Sequence, residues 1–291
     1  YRVNPTVKAL RAALMAGLMA TASTVALAAP PPVDIAIEYF ESGDITVVNA
    51  TDLDAEAIYA AGGIVAISDY GDVDITNDGN ITADAGYFYG YNALAAGIYA
   101  EAGYDATVNN SGSISAYAYG SYGGPARALG IYAVAGAFNG YGDAEIQNSG
   151  AIEVTTYSSS EAQSIGIAAY AEDGDVTVGN TGQIIATSTV YADDYFTVST
   201  ATGISGYSEY GDVAITNSGL INVAAYVYDE SGYAVSTASA IGIRASGYTV
   251  DIDNTASIAA FASDDVYLGN SIAIGIDAEA YADITISNTG D

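Results

Sequence analysis

The sequence predicts an all-β fold: a single-stranded parallel β-helix, or β-solenoid, taken as right-handed by analogy with known folds, of about seven to eight coils with three short strands per coil. Three observations predict it. An asparagine motif recurs eight times, a Gly-Ile pair recurs in phase with it, and apolar residues within each run alternate with period two.

The motif is anchored on Asn49, Asn77, Asn110, Asn148, Asn180, Asn217, Asn254 and Asn288. Two residues before each stands an aliphatic residue, Val47, Ile75, Val108, Ile146, Val178, Ile215, Ile252 or Ile286, and the residue four before is apolar as well. Glycine follows at two residues after, except at Thr51 and Ala256, and an aliphatic residue follows at four, from Leu53 to Ile258. The Gly-Ile marker lies at Gly63, Gly97, Gly130, Gly166, Gly203, Gly242 and Gly275, 12 to 18 residues before the next asparagine. Asparagines are 28 to 38 residues apart, so each period holds three strand-like runs: Gly-Ile-x-Ala, Asp-Val-x-Ile-x-Asn and Gly-x-Ile-x-Ala.

Period-two alternation puts Val213, Ile215, Asn217, Gly219 and Ile221 inward, with Asp212, Ala214, Thr216 and Ser218 facing solvent. One such repeat cannot stand alone. A buried Val or Ile contributes ~1.5–3 kcal/mol, while fixing each backbone costs about 1–2 kcal/mol. Stability must come from stacking, each strand pairing with its equivalents in neighbouring coils. A β-propeller also recurs at such periods, but its blades need four strands and vary less in length. Stacked at about 4.8 Å, the inward asparagines Asn77, Asn110, Asn148, Asn180, Asn217, Asn254 and Asn288 are expected to form a structural ladder of amide hydrogen bonds.

Residues 1–28 read as a signal peptide with a truncated start: Lys8 and Arg11, an apolar run from Ala12 to Ala28, and an Ala-x-Ala cleavage site. Residues 29–32 form a Pro-rich linker, and residues 33–291 carry the repeats, with a C-terminus that reads as truncated. Beyond the leader, Arg127 and Arg244 face 35 acidic residues, a formal net charge of −33, which disfavours nucleic acid and anionic membranes as partners. No cysteine is present, so no disulfide or thiolate site holds the fold.

Five residues before the asparagine an aspartate recurs at Asp44, Asp72, Asp105, Asp143, Asp175, Asp212 and Asp283, with Thr249 the exception. Its expected role is to accept local backbone N–H groups in a turn. The alternative is calcium held between coils by Asp72, Asp105, Asp143, Asp175 and Asp212. The Gly-Gly-x-Gly-x-Asp signature of calcium-binding β-rolls is absent. Many of the 26 tyrosines fall in the segments of most variable length: Tyr87, Tyr89, Tyr91, Tyr117, Tyr119, Tyr122, Tyr191, Tyr195, Tyr226, Tyr228 and Tyr233. These segments are expected to be irregular loops on one side, with the tyrosines either forming an adhesive surface or stacking to cover a strand face. The complete absence of histidine and cysteine removes Ser-His-Asp, Cys-His and the usual zinc sites, so no catalytic residue is assigned and no cofactor is expected. The outward residues before the asparagines run from Val48 through Thr76, Asn109, Gln147, Gly179, Thr216 and Asp253 to Ser287, which is no threonine ladder of the ice-binding kind.

Repeats of Val-x-Ile-x-Asn-x-Gly-x-Ile with interspersed Gly-Ile-x-Ala, behind a signal peptide, resemble the passenger regions of Gram-negative autotransporters and related haemagglutinin-like adhesins. The resemblance covers nearly all of residues 33–291. It implies a non-enzymatic stalk or adhesive surface displayed outside the cell through a C-terminal outer-membrane β-barrel that this sequence lacks. Implied partners are host or neighbouring-cell surface proteins or glycans, or other copies of the chain, in adhesion, autoaggregation or biofilm. The alternative expectations are a calcium-binding extracellular surface-layer or matrix protein and, further off, a polysaccharide-active β-helix enzyme.

Overall fold

The computed structural model describes residues 33–86, 92–120, 124–137, 140–192, 196–228, 235–265 and 268–290. The expected leader and linker therefore lie outside the described residues. All strands belong to three parallel sheets stacked as a β-solenoid, three strands to a coil. The first and second sheets each hold eight strands, running from Val33–Glu41 to Leu268–Ala280 and from Ile45–Asn49 to Ile284–Asn288; the third holds seven, from Leu53–Ala57 to Ile258–Asp265. Each strand pairs with its equivalent one coil away, so Asn49, Asn77, Asn110, Asn148, Asn180, Asn217, Asn254 and Asn288 are in register along the second sheet.

The inward set named for residues 213–221 is buried and the outward set exposed. The core is one continuous column of small and β-branched side chains, such as Ala66, Ile75, Ile81, Val108, Ile131 and Val154. Three inward-facing sheets leave a narrow interior, which Ala, Val and Ile fill.

Two sequence expectations about the strands need correction. Only the second-sheet strands are uniformly short, at five residues. First-sheet strands grow from nine residues to 13, and third-sheet strands from five to eight. The Gly-Ile pair does not open a short strand; it sits in the middle of a long one. There the alternation changes phase. Ala95 and Ile98 both enter the core, as do Ala128 and Ile131, and in each case the intervening glycine drops out of the pairing register. The glycine is required because its carbonyl-bearing backbone is pressed from two sides. A Cβ on Gly130 would overlap the carbonyl oxygen of Gly166 and lie 2.5 Å from Cγ2 of Ile152, the first inward residue of the third sheet in the same coil.

Outward faces also differ from expectation. In the first sheet the outward face of the N-terminal coils is apolar and buried, with Val65, Ile67, Leu94, Tyr99, Leu129 and Tyr132 in a second cluster. Near-continuous apolar runs such as Ala93–Glu101 are what a sheet buried on both faces needs. Tyr99 Oη donates to the buried Glu101 carboxylate at 2.7 Å on this face.

Where the first and third sheets lengthen they extend past the triangular core and face one another. Hydroxyls line that seam. Thr156 Oγ1 and Ser164 Oγ are 2.9 Å apart, Ser188 Oγ donates to the Ala162 carbonyl at 2.9 Å, and Ser199 Oγ meets Ser188 Oγ at 2.9 Å. Small side chains let the two sheets approach closely, and these hydroxyls are paired as burial demands, with Thr197 Oγ1 on the same strand as Ser199 the buried exception.

Candidate functional site

The recurrent polar residues are disposed in columns parallel to the solenoid axis, and the asparagine column is the most regular. Asn49 Nδ2 donates to Asn77 Oδ1 at 2.7 Å, and the same bond continues from Asn77 to Asn110, Asn148, Asn180, Asn217, Asn254 and Asn288 at 2.7–2.8 Å. The second N–H of each amide goes to the carbonyl two residues on, for example Asn77 to Gly79 at 2.7 Å and Asn148 to Gly150 at 2.8 Å. Both donors of each amide from Asn49 to Asn254 are thus used, and the column is structural.

The glycine two residues later follows from the same stacking. A Cβ on Gly79, Gly112, Gly150, Gly182 or Gly219 would overlap the carbonyl oxygen of the equivalent residue in the preceding coil. Thr51 is the exception that this rule explains: it lies in the first described coil, where no described residue stands at the equivalent place before it. Its Oγ1 donates at 2.9 Å to Asn49 Oδ1, the one ladder oxygen that receives no asparagine amide. Nothing in the structure explains alanine at position 256.

The aspartate column is also a hydrogen-bonding ladder, but not the local one expected. Oδ1 of Asp44, Asp72, Asp105, Asp143 and Asp175 accepts the backbone N–H of the aspartate one coil later, at 2.8–3.2 Å, and Asp212 accepts Thr249 N at 3.1 Å. The donor lies a full coil away because the stacked coils, about 4.8 Å apart, place equivalent corners side by side. Among the described residues no group of three or more acidic side chains is arranged to hold a metal ion. The melting temperature is accordingly expected to be the same in millimolar calcium and in chelator, to be read by circular dichroism; a calcium-dependent rise would return the aspartates to a metal-binding role.

The tyrosines divide. Tyr87, Tyr89, Tyr91, Tyr122, Tyr195 and Tyr233 lie outside the described residues. Tyr117, Tyr119, Tyr191, Tyr226 and Tyr228 are in third-sheet strands, not in irregular loops. Part of the added length is lengthening of regular strands, as in Ile184–Tyr191 and Phe196–Ser208, which aromatic residues favour; residues 87–91, 121–123, 193–195 and 229–234 of these segments lie outside the described residues. Their rings stack from coil to coil, Tyr191 on Tyr228 at 5.5 Å and Tyr226 against Phe261 at 5.6 Å, while Tyr119, Tyr191, Tyr228 and Phe261 remain exposed. Stacking and solvent exposure therefore coexist in these strands.

A second tyrosine column, missed in the sequence, stands at the corner between first and second sheets: Tyr70, Tyr104, Tyr141, Tyr210, Tyr248 and Tyr281, all exposed. The signal was available, since each lies six or seven residues before a ladder asparagine. At Tyr70 and Tyr210 the corner is braced by a serine: Ser68 Oγ donates to the Gly43 carbonyl and accepts Gly71 N, and Ser208 does the same with Gly174 and Gly211.

Along the second sheet runs a shallow groove of ≈ 560 Å³ lined by Thr76, Asn109, Gln147 and Thr216, and by Asp78, Ser111, Ser149, Thr181 and Ser218 beyond the ladder. Its walls offer hydroxyls and amides but no paired carboxylates for acid–base chemistry. Arg127 and Arg244 are each bound to an acid of the next coil, Glu161 at 3.1 Å and Asp277 at 3.0 Å.

Acidic crowding is felt at Asp84, which faces outward between coils. Burial first, then Glu56 and Asp54, push its carboxyl above the usual carboxylate range. A raised folded-state pKa means the native state takes up the proton more readily, so this group's penalty is present above the raised value and lost as pH falls toward the unfolded value. Asp84→Asn is expected to melt slightly higher at neutral pH, by no more than about 1 kcal/mol for so solvated a site, and the difference should vanish on acidification through that window. Thermal melts of both proteins across pH would check it.

Comparison of the chain with protein-family models, curated proteins and solved structures finds no match.

Proposed function

We propose that this chain is an exported, non-enzymatic β-solenoid that works at a Gram-negative cell surface in adhesion or self-association, in the manner of an autotransporter passenger. The observation that carries this reading is the division of labour among the repeated columns. The asparagine and aspartate columns are spent on bonds between coils, and besides scattered acidic side chains the outward faces carry exposed tyrosines on two sides and a groove lined, apart from Asp78, by neutral polar side chains. Tyrosine supplies wide amphipathic contact at low entropy cost, which suits a contact surface carried on a rigid rod. Export is supported by the apolar leader-like stretch, and the solenoid can assemble by templating each coil on the last.

The test is display of residues 33–291 on non-adherent cells through a supplied outer-membrane barrel. Wild-type display is expected to make cells aggregate or attach to host-cell surfaces. The triple change Tyr119→Ser, Tyr191→Ser and Tyr228→Ser is expected to abolish most of this without altering the β-sheet spectrum. Displayed, folded protein that leaves cells dispersed and non-adherent would remove the adhesive reading.

A further inference from the structure

We infer that exposed tyrosine pairs on adjacent coils, Tyr191 with Tyr228 and Tyr248 with Tyr281, are sites of intramolecular dityrosine formation that staple the solenoid coil to coil. The inference does not rest on the adhesive reading. It begins from what an oxidant can attack. Residues 33–291 contain no cysteine, histidine, tryptophan or methionine, so the phenols are the most readily oxidised side chains present.

Exposure of both rings together with stacking selects among them; Tyr170 and Tyr207 stack closer, at 5.2 Å, but Tyr170 is half-buried. Tyr191 and Tyr228 are direct partners in the parallel register, with ring centroids 5.5 Å apart and planes inclined by 23°. Tyr248 and Tyr281 occupy equivalent corners of successive coils, 5.7 Å apart at 24°. All four are open to solvent, at 55%, 41%, 48% and 88% exposure respectively. Coupling needs the rings to close by side-chain rotation alone, since the backbones are already held at one strand spacing, about 4.8 Å. Tyr99 and Tyr132 form an internal control: they stack at 5.5 Å and 1°, but both are buried.

The chemistry needs a peroxide and a one-electron catalyst, here hydrogen peroxide with a haem peroxidase. Each phenol gives up one electron and one proton, and the two ring radicals join through their ortho carbons. The two ortho hydrogens then move to the oxygens as the rings regain aromaticity. Peroxide takes up the two electrons and two protons and leaves as two waters, so the protein loses two hydrogens per link. In a chain without cysteines such a bond restricts the unfolded state as a disulfide would.

The experiment treats dilute protein with peroxidase and peroxide and isolates the monomer. Dityrosine fluorescence should appear in the monomer, peptide mass spectrometry should place the links at Tyr191–Tyr228 and Tyr248–Tyr281, and the oxidised monomer should melt higher. Tyr228→Phe should remove the first link and Tyr281→Phe the second, each leaving the other in place, and Tyr99–Tyr132 should stay unlinked. Fluorescence confined to covalent dimers, links unaffected by these two changes, or hydroxylated tyrosine without links would each overturn the inference.

Discussion

Gly130→Ala is expected to destabilise the solenoid by ~3 kcal/mol or more, whereas the same change at Gly275 should cost nothing measurable. The added carbon at Gly130 meets two obstacles at once, the Gly166 carbonyl oxygen and Ile152 Cγ2. Neither can retreat cheaply. The carbonyl belongs to the neighbouring strand of the same sheet, and Ile152 is fully packed in the core. Relief must come from prising two coils apart, which strains the pairing above and below. Gly275 belongs to the last described coil, where a Cβ meets nothing within 4 Å, and no positive φ forbids alanine there. Alanine also narrows the unfolded ensemble, a gain of about 0.4–1 kcal/mol where the backbone allows it. Chemical denaturation of both variants provides the comparison. Equal losses would mean that glycine serves strand geometry itself and not the close approach of neighbouring coils.

The contrast shows what in this fold is legible from sequence. The asparagine column, the inward set around Asn217 and the three-strand period follow from local alternation, because a strand's two faces are fixed once one inward residue is known. The phase change at Gly97 or Gly130 is not local. It depends on an isoleucine brought opposite from another sheet, so the Gly-Ile pair could be found but its place in mid-strand could not. The aspartates show the same limit: their spacing was visible, but the N–H each accepts belongs to a residue one coil later in the chain. Pairing register, not composition, decides that bond.

The described tyrosines of the third sheet were misplaced for a different reason. Variable length before the next Gly-Ile pair looked like loop insertion, yet a solenoid can absorb part of it by lengthening two facing strands together, as in Ile184–Tyr191 and Phe196–Ser208. Thr156, Ser164, Ser188 and Ser199 make this possible, since their hydroxyls bond across the new seam and their small volume keeps the sheets close. Length variation in a repeat protein is therefore not by itself evidence of irregular structure when the added residues include β-branched, aromatic and small polar side chains. The corner tyrosines from Tyr70 to Tyr281 were obscured because their offset from the asparagine shifts by one residue, which a fixed-position motif overlooks.

The ladder supplies the second large effect, through a substitution that changes almost no volume. In Asn148→Asp an oxygen replaces Nδ2, which in the native chain donates to Asn180 Oδ1 at 2.8 Å and to the Gly150 carbonyl at 2.8 Å. Two hydrogen bonds become two contacts between acceptors, and a carboxylate is placed at a buried position. A buried charge without a partner costs about 3–5 kcal/mol, so the variant should lose that much at neutral pH. Acid should restore part of it. The buried carboxyl must bind its proton more tightly folded than unfolded, so the variant gains stability, relative to wild type, as pH falls through that raised value. One O–H can satisfy only one of the two acceptors, and recovery should stop short of wild type. Asn288→Asp is the matched control. Its Oδ1 accepts from Asn254 at 2.7 Å, a role aspartate keeps, and the residue is exposed, so the change should fall within about 0.5 kcal/mol. If urea unfolding gave the two variants the same midpoint, the asparagines would be fixing the turn individually, and the column would not act as a continuous hydrogen-bonded chain.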